Sequence, residues 1–131
     1  MCKVKLIMRQ AVKDKYMTEF TIPQHFENKE PVVKSIYDQI LKEARRFGAV
    51  TEEPKKTSIH LVNKSAFAGV TTRKSALILN IKSAAPIKHA RIAKSEQLSA
   101  SRFHQEVKLT SPEEVDSVLV GWLKQAYAIS G

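Results

Sequence analysis

The stretch of this 131-residue chain that decides its fold is Phe103-His104-Gln105-Glu106-Val107-Lys108-Leu109. Its odd-numbered side chains are apolar apart from Gln105, whereas its even-numbered side chains are polar or charged. Successive side chains of a β-strand point to opposite faces of the sheet, so this alternation predicts a strand with one buried face. His104, Glu106 and Lys108 then lie on the opposite, polar face.

Three further strands are predicted upstream, over 57–62, 66–71 and 76–82. Apolar residues alternate in these runs as well, and short polar turns separate them. Residues 83–102 show no sustained period and contain a proline, which predicts a long connection with at most one helical turn. Connections of this length without regular structure are uncommon and often functional.

The first of two predicted helices runs from Glu30 or Pro31 to Phe47. Gly48 follows it and suits the left-handed conformation that commonly ends a helix. The apolar stripe of this helix consists of Val33, Ile36, Tyr37, Ile40, Leu41, Ala44 and Phe47.

The second helix is predicted to begin after Ser111, with Pro112 in the first helical position and Glu114 in the third. This arrangement is the sequence signature of a capping box. Its apolar stripe consists of Val115, Val118, Leu119, Trp122, Leu123 and Ala126.

Together these elements predict an α+β fold, in which a mainly antiparallel, meander-type sheet has two amphipathic helices packed on one face. The other face is left to solvent or to a partner. By length the chain forms one domain. We expect an N-terminal extension over residues 1–19 and a single α+β domain over residues 20–131.

Composition and motifs argue against several classes of protein. The single cysteine, Cys2, cannot form an internal disulfide, so a cytoplasmic location is expected. No stretch is long and apolar enough to span a bilayer, so no membrane partner is expected. Phosphate-binding glycine loops and nucleophile elbows are missing from the sequence, and no cofactor is expected.

Positive charge is concentrated in the centre of the chain. Residues 54–108 carry eleven Lys and Arg but only two carboxylates, a net charge of +9 that equals the charge of the whole chain. A one-sided field of this kind attracts anionic partners, above all nucleic acid. Lysine outnumbers arginine here, which favours sequence-tolerant phosphate contacts over the reading of bases.

The sequence therefore predicts a basic nucleic-acid-binding module that uses one sheet face and the 83–102 connection. The candidate binding residues are Lys56, His60, Arg73, Lys74, Lys82, Lys88, Arg91, Lys94, Arg102, His104 and Lys108.

Candidate catalytic patterns are incomplete. Glu106 and Lys108 match half of a nuclease pattern in which acidic groups hold a metal and a lysine steadies the attacking water. No aspartate lies nearby upstream, so we expect neither a metal nor catalytic residues. Two alternatives stay open. One is a protein-interaction module whose basic face docks an acidic partner. The other is a hydrolase built around His60, His104 and Glu106, which would require these three side chains to meet in one pocket.

The chain resembles a small bacterial and archaeal family in five segments. They are Phe20–Phe26 (FTIPQHF), Lys56–Leu61 (KTSIHL), Ser65–Val70 (SAFAGV), His104–Asp116 (HQEVKLTSPEEVD) and Gly121–Tyr127 (GWLKQAY). The family is DUF5655, a domain of unknown function, and some of its members carry the label "predicted transport protein". The transport label fits poorly with a chain that has no membrane-spanning segment.

The resemblance covers roughly Phe20 to Ala128. It implies a small α+β module that occurs alone or fused to nuclease-like and restriction-associated domains, and hence a role beside a nuclease or defence system. The first 17 residues depart from the family pattern. Some relatives have a cysteine-bearing metal finger there, which Cys2 alone cannot form, and we expect a strand or helix at the sheet edge instead.

Overall fold

The computed structural model describes residues 20–131 and confirms the α+β fold. Its strands are β1 (Thr51–Pro54), β2 (Ile59–Val62), β3 (Ala66–Thr72), β4 (Leu77–Ser83), β5 (Ile92–Ser99) and β6 (Arg102–Leu109). They pair in one antiparallel sheet in the order β1-β2-β3-β4-β6-β5. The predicted extension, residues 1–19, and the strand or helix expected within residues 1–17 lie outside the described residues.

The helices are α1 (Pro31–Ala44) and α2 (Ser117–Ile129), each preceded by a short 3₁₀-helix, at Pro23–Phe26 and Pro112–Glu114. Proline stands at the first position of α1, where its missing N–H costs nothing because that N–H has no intrahelical partner. Both helices lie on the same face of the sheet, since each carries one apolar stripe that must be buried.

The core lies between the helices and one face of the sheet. Leu77, Leu79 and Ile81 of β4 are fully buried there, as are Leu109 and the nearly inaccessible Val107 of β6. These residues belong to the faces that the alternation predicts as apolar. Within residues 20–131 no helix covers the opposite face of the sheet, and we call it the open face.

The prediction of an irregular connection over 83–102 is wrong, because this segment contains β5. The strand pairs with β6 at the edge of the sheet. Ile92 is half-buried and the other side chains of β5 are exposed, so neither face of the strand is buried. An edge strand beyond the cover of the helices has no buried face, and therefore no hydrophobic alternation that would reveal it.

The sequence also failed to predict β1, a short strand that pairs with β2 at the other edge of the sheet. Its four residues include two glutamates and a proline, which are rare in strands but tolerated at edges.

The start of α2 lies later than predicted. The Glu114 carboxylate accepts the backbone N–H groups of Thr110 and Ser111, but the turn that this closes is the 3₁₀-helix. The α-helix begins at Ser117, and Asp116 caps it by accepting the N–H of Leu119 at 3.1 Å.

The stripe of α2 is narrower than predicted. Leu119, Leu123 and Ala126 are fully buried, whereas Val118 is 43% exposed. The buried residues follow one another at four- and three-residue steps, so they occupy a single line along the helix, and Val118 lies on its flank.

A candidate ligand-binding site on the open face

One row of six residues crosses the whole open face. The cross-strand register places these residues directly beside one another, in the order Glu53, His60, Gly69, Asn80, Glu106 and Lys94. Residues that are paired across an antiparallel sheet point to the same side, so five side chains and one glycine share this row.

A second, shorter row lies beside the first. Lys82 of β4, His104 of β6 and Glu96 of β5 are paired side by side, two residues along each strand from the first row. The two rows together bring histidine, lysine, glutamate and asparagine side chains to the middle of the open face.

These side chains surround a cavity of about 420 Å³. His60 and Asn80 lie on either side of Gly69, and Lys82, Lys94, Glu96, His104 and Glu106 complete the charged and ionisable lining. Its size falls within the usual range of small-molecule sites.

Gly69 keeps the floor of this cavity free of side chains. A methyl group placed on Gly69 would lie 4.0 Å from the Cβ of Asn80 and 4.0 Å from the Cδ2 of His60, which is ordinary van der Waals distance. The backbone at Gly69 is extended within β3 and does not require glycine. The missing side chain therefore provides space between His60 and Asn80.

The surroundings of His104 favour its neutral form. Partial burial is the main cause that lowers the pKa of His104 below its ordinary value, and the nearby ammonium of Lys82 lowers it further. Glu96 acts in the opposite direction, and His60 adds a small lowering effect. A neutral imidazole offers one donor and one acceptor to a ligand.

The polar side chains of the lining form few hydrogen bonds with the rest of the described structure. Among the described residues, the side chains of His60, Asn80, His104 and Glu106 form no hydrogen bond with another residue, and Lys82 donates one long bond (3.5 Å) to Ser65 Oγ. Their donors and acceptors are thus available to a ligand.

Four of the eleven candidate binding residues line this cavity, namely His60, Lys82, Lys94 and His104. Arg102 and Lys108 lie on the same face of β6, outside the cavity. The remaining five lie in the connections at the ends of the strands. They are Lys56, Arg73, Lys74, Lys88 and Arg91.

Arg91 has a structural contact instead. Its Nη1 atom lies 3.0 Å and 3.1 Å from the two carboxylate oxygens of Asp116, and its Nη2 donates to the carbonyl oxygen of Glu114 at 2.6 Å. Arg91 therefore ties the segment before β5 to the start of α2.

Gly69, Asn80 and Glu96 line the cavity but were not predicted from the sequence. Gly69 interrupts the alternation of a predicted strand, which is a recognised sign of close backbone approach. Asn80 lies on the polar side of the third predicted strand. Glu96 carried no such signal, because its strand was not predicted.

His60, His104 and Glu106 do meet at one cavity, as the hydrolase alternative requires. Within residues 20–131, however, no group of three His, Cys, Asp or Glu side chains is arranged to hold a metal ion. The cross-strand neighbours of Glu106 are Asn80 and Lys94, so Glu106 has no acidic partner beside it in the row.

A groove between the helices is the other concave surface of note. It is lined by Glu43, Arg46, Phe47, Val120 and Lys124, and three of these five side chains are charged. No helix within the described residues is long and apolar enough to cross a membrane.

Comparison with known proteins identifies a family for the chain. Neither a curated protein nor a solved structure matches the chain. A family model, described as a domain of unknown function, matches residues 22–130, which include the six strands and two α-helices of the described structure and the whole cavity. The expectation drawn from the sequence blocks is thus confirmed, and the chain belongs to the DUF5655 family.

Proposed function

We propose that this protein binds nucleic acid without sequence preference, through phosphate contacts on the open face of its sheet. The separation of charge between the two layers supports this proposal. Residues 51–109, which contain the strands, carry eleven Lys and Arg and four carboxylates. The other described residues, 20–50 and 110–131, contain the helices and carry six Lys and Arg and seven carboxylates.

Lys94, Arg102 and Lys108 supply the main phosphate contacts in this proposal. The alternation of β5 and β6 puts them on the open face, where no helix of the described structure covers them. Within the described part of the chain none of the three forms an ion pair, so their charges are free to neutralise phosphates. Lysine binds phosphate as a point charge, which favours contact with the backbone of any sequence.

The physical basis of binding would be counterion release. Each phosphate that a cation neutralises frees condensed counterions, so affinity falls as salt rises. The logarithm of the binding constant should fall linearly with the logarithm of the salt concentration, with a slope that counts the contacts.

The test is a salt titration of binding to short labelled single-stranded and duplex DNA and RNA. Replacing Lys94, Arg102 and Lys108 together by Gln should weaken binding and reduce the slope by about 2 for a single strand, because each lost contact contributes about 0.7.

A matched control removes the same charge from the other layer. Lys42, Arg46 and Lys124 lie on or next to the helices, and their joint replacement by Gln should leave the slope unchanged. Equal losses in both triple variants would show that only the overall charge matters, and would overturn the assignment of the open face. An unmodified protein that binds nothing at low salt would contradict the proposal itself and favour an acidic protein partner for this face.

A second candidate function is metal-independent cleavage of the bound strand. The observation in its favour is that His60, His104 and Glu106 line one cavity, because imidazole and carboxylate side chains are common general acids and bases. Labelled RNA and DNA should then be cleaved in the presence of a chelator, and His104→Gln should abolish cleavage while binding persists. Intact strands after prolonged incubation would remove this candidate.

A further inference from the structure

We infer that the cavity at the centre of the open face receives one unpaired nucleobase of the bound strand, which lies over Gly69 between His60 and Asn80. This inference rests on the proposed function, because the base arrives as part of a strand held by its phosphates. It adds to that function a preference for single strands over duplexes.

The space inside the cavity favours a bound base. The cavity, at about 420 Å³, has room for much more than a few water molecules, and its floor is the one glycine that lies within a strand of the described structure. Glycine weakens a strand because it has no side chain to pack. Since the extended backbone at Gly69 would accept a side chain, the absence of one leaves space between His60 and Asn80 that a planar group can enter.

The balance of charge in the cavity lining favours a neutral ligand group. Lys82 and Lys94 in the cavity are matched by Glu96 and Glu106, so its formal charge is balanced while the cations outside it are in excess. A free phosphate would be repelled by the two carboxylates. A neutral polar group avoids this repulsion, and a nucleobase is the neutral part of a nucleotide.

The hydrogen-bonding groups of Asn80 and Glu106 also suit a base. The edges of nucleobases carry donors and acceptors side by side, and an asparagine amide can match both at once. Asn80 presents such an amide next to Gly69, and the carboxylate of Glu106 lies beside it in the row. Neither side chain has a hydrogen bond to another described residue.

The imidazole of His60 provides a surface on which a base can stack. Single-stranded bases commonly stack on flat side chains, and histidine is one of those used. The ring of His60 lies within 4.0 Å of the space above Gly69, so a base there would contact the imidazole. Several different bases could enter, because every base has a flat face for stacking.

The cavity is accessible to a nucleic-acid strand. The cavity opens on a sheet face that neither α1 nor α2 covers, so a strand lying across the face can extend a base into it. A paired base would first have to leave its duplex, which costs free energy. Single strands should therefore bind more tightly than duplexes of the same length and charge.

The experiment compares two single strands of equal length, one ordinary and one with abasic sites in place of its bases. Both carry the same phosphates, so counterion release is alike. The protein should bind the ordinary strand about tenfold more tightly. Gly69→Leu should abolish this preference by filling the floor, and leave binding of the abasic strand unchanged.

Control variants keep the test informative. Gly121→Leu makes the same exchange on α2, where an added Cβ meets no atom within 4 Å, and should retain the preference for bases. Asn80→Ala removes the amide without filling the cavity and should reduce the preference, which provides a second test should Gly69→Leu not fold.

The outcomes separate the two proposals. Equal, salt-dependent binding of ordinary and abasic strands by the unmodified protein would overturn the cavity inference and leave the phosphate-binding proposal intact. Binding of neither strand would overturn both. A base preference that survives in Gly69→Leu and Asn80→Ala would place base contacts elsewhere on the protein and contradict the assignment of this cavity.

Discussion

At the scale of single residues, Gly48 is held in a conformation that other residues rarely adopt. Its φ of 153° is positive, and a Cβ added there would lie 2.5 Å from the hydroxyl oxygen of Tyr127. That hydroxyl donates to the carbonyl oxygen of Ala49 at 2.9 Å, so it cannot move away without losing a bond. Gly48→Ala should lower the free energy of unfolding by about 1–3 kcal/mol, measured by urea denaturation.

Gly121 provides the control for this prediction. It lies inside α2, and an added Cβ would meet no atom within 4 Å. Gly121→Ala should raise the free energy of unfolding by about 0.5–1 kcal/mol, because alanine loses less backbone entropy in a helix. If both alanine variants destabilise the protein equally, the conformation of Gly48 is not the cause.

His104 should titrate below the ordinary pKa of histidine, and Lys82→Gln should raise its pKa by removing a neighbouring cation. An NMR titration of the His104 ring protons measures both. Because the pKa is lower in the folded state, the unfolded chain binds more protons in this window, and stability should fall as pH drops below about 6.5. His104→Gln should flatten that pH dependence. A midpoint in the folded protein equal to that of a free histidine would contradict the prediction.

At the scale of elements, Asp116 joins two parts of the fold. It caps α2 through the N–H of Leu119 and pairs with Arg91 in the segment before β5. Asp116→Ala should lower the free energy of unfolding by about 1 kcal/mol, the typical cost of a lost N-cap. Asp116→Asn keeps a capping oxygen and should cost less. Equal losses in chemical denaturation would show that the ion pair, and not the cap, supplies the stability.

The strands differ in how much of them the sequence could predict. β4 and β6 have one buried and one polar face, so hydrophobic alternation identifies both. β1 and β5 lie at the edges, where few or no side chains are buried, and no alternation marks them. These two strands are defined by their hydrogen-bonded pairing with β2 and β6, which only the tertiary structure shows.

At the scale of the whole molecule, the helices and the sheet share one core and should unfold together. Ile81 is fully buried in β4, and Ile81→Ala should lower the free energy of unfolding by about 2–5 kcal/mol. Trp122, the only tryptophan of the chain, is packed against this core from α2. Its fluorescence and the far-UV circular dichroism should therefore show coincident transitions in the variant. Separate transitions would show that the layers unfold independently.

The candidate site was only partly predictable. The polar faces of the predicted strands identify His60, Lys82 and His104, because alternation fixes which side chains share a face. The association of Glu96 and Lys94 with these residues depends on the β5–β6 pairing. Arg91 does not contribute to the basic surface because it contacts Asp116, which lies 25 residues away in the sequence and could not be identified as its partner from the sequence.

The sequence by itself determined the α+β class, the buried and polar faces of the inner strands, and the family, because these depend on local periodicity and on contiguous motifs. The tertiary structure alone decided the strand order, the edge strands and the cavity over Gly69. Those features arise from cross-strand register, which brings together residues far apart in the chain, and no local pattern records that register.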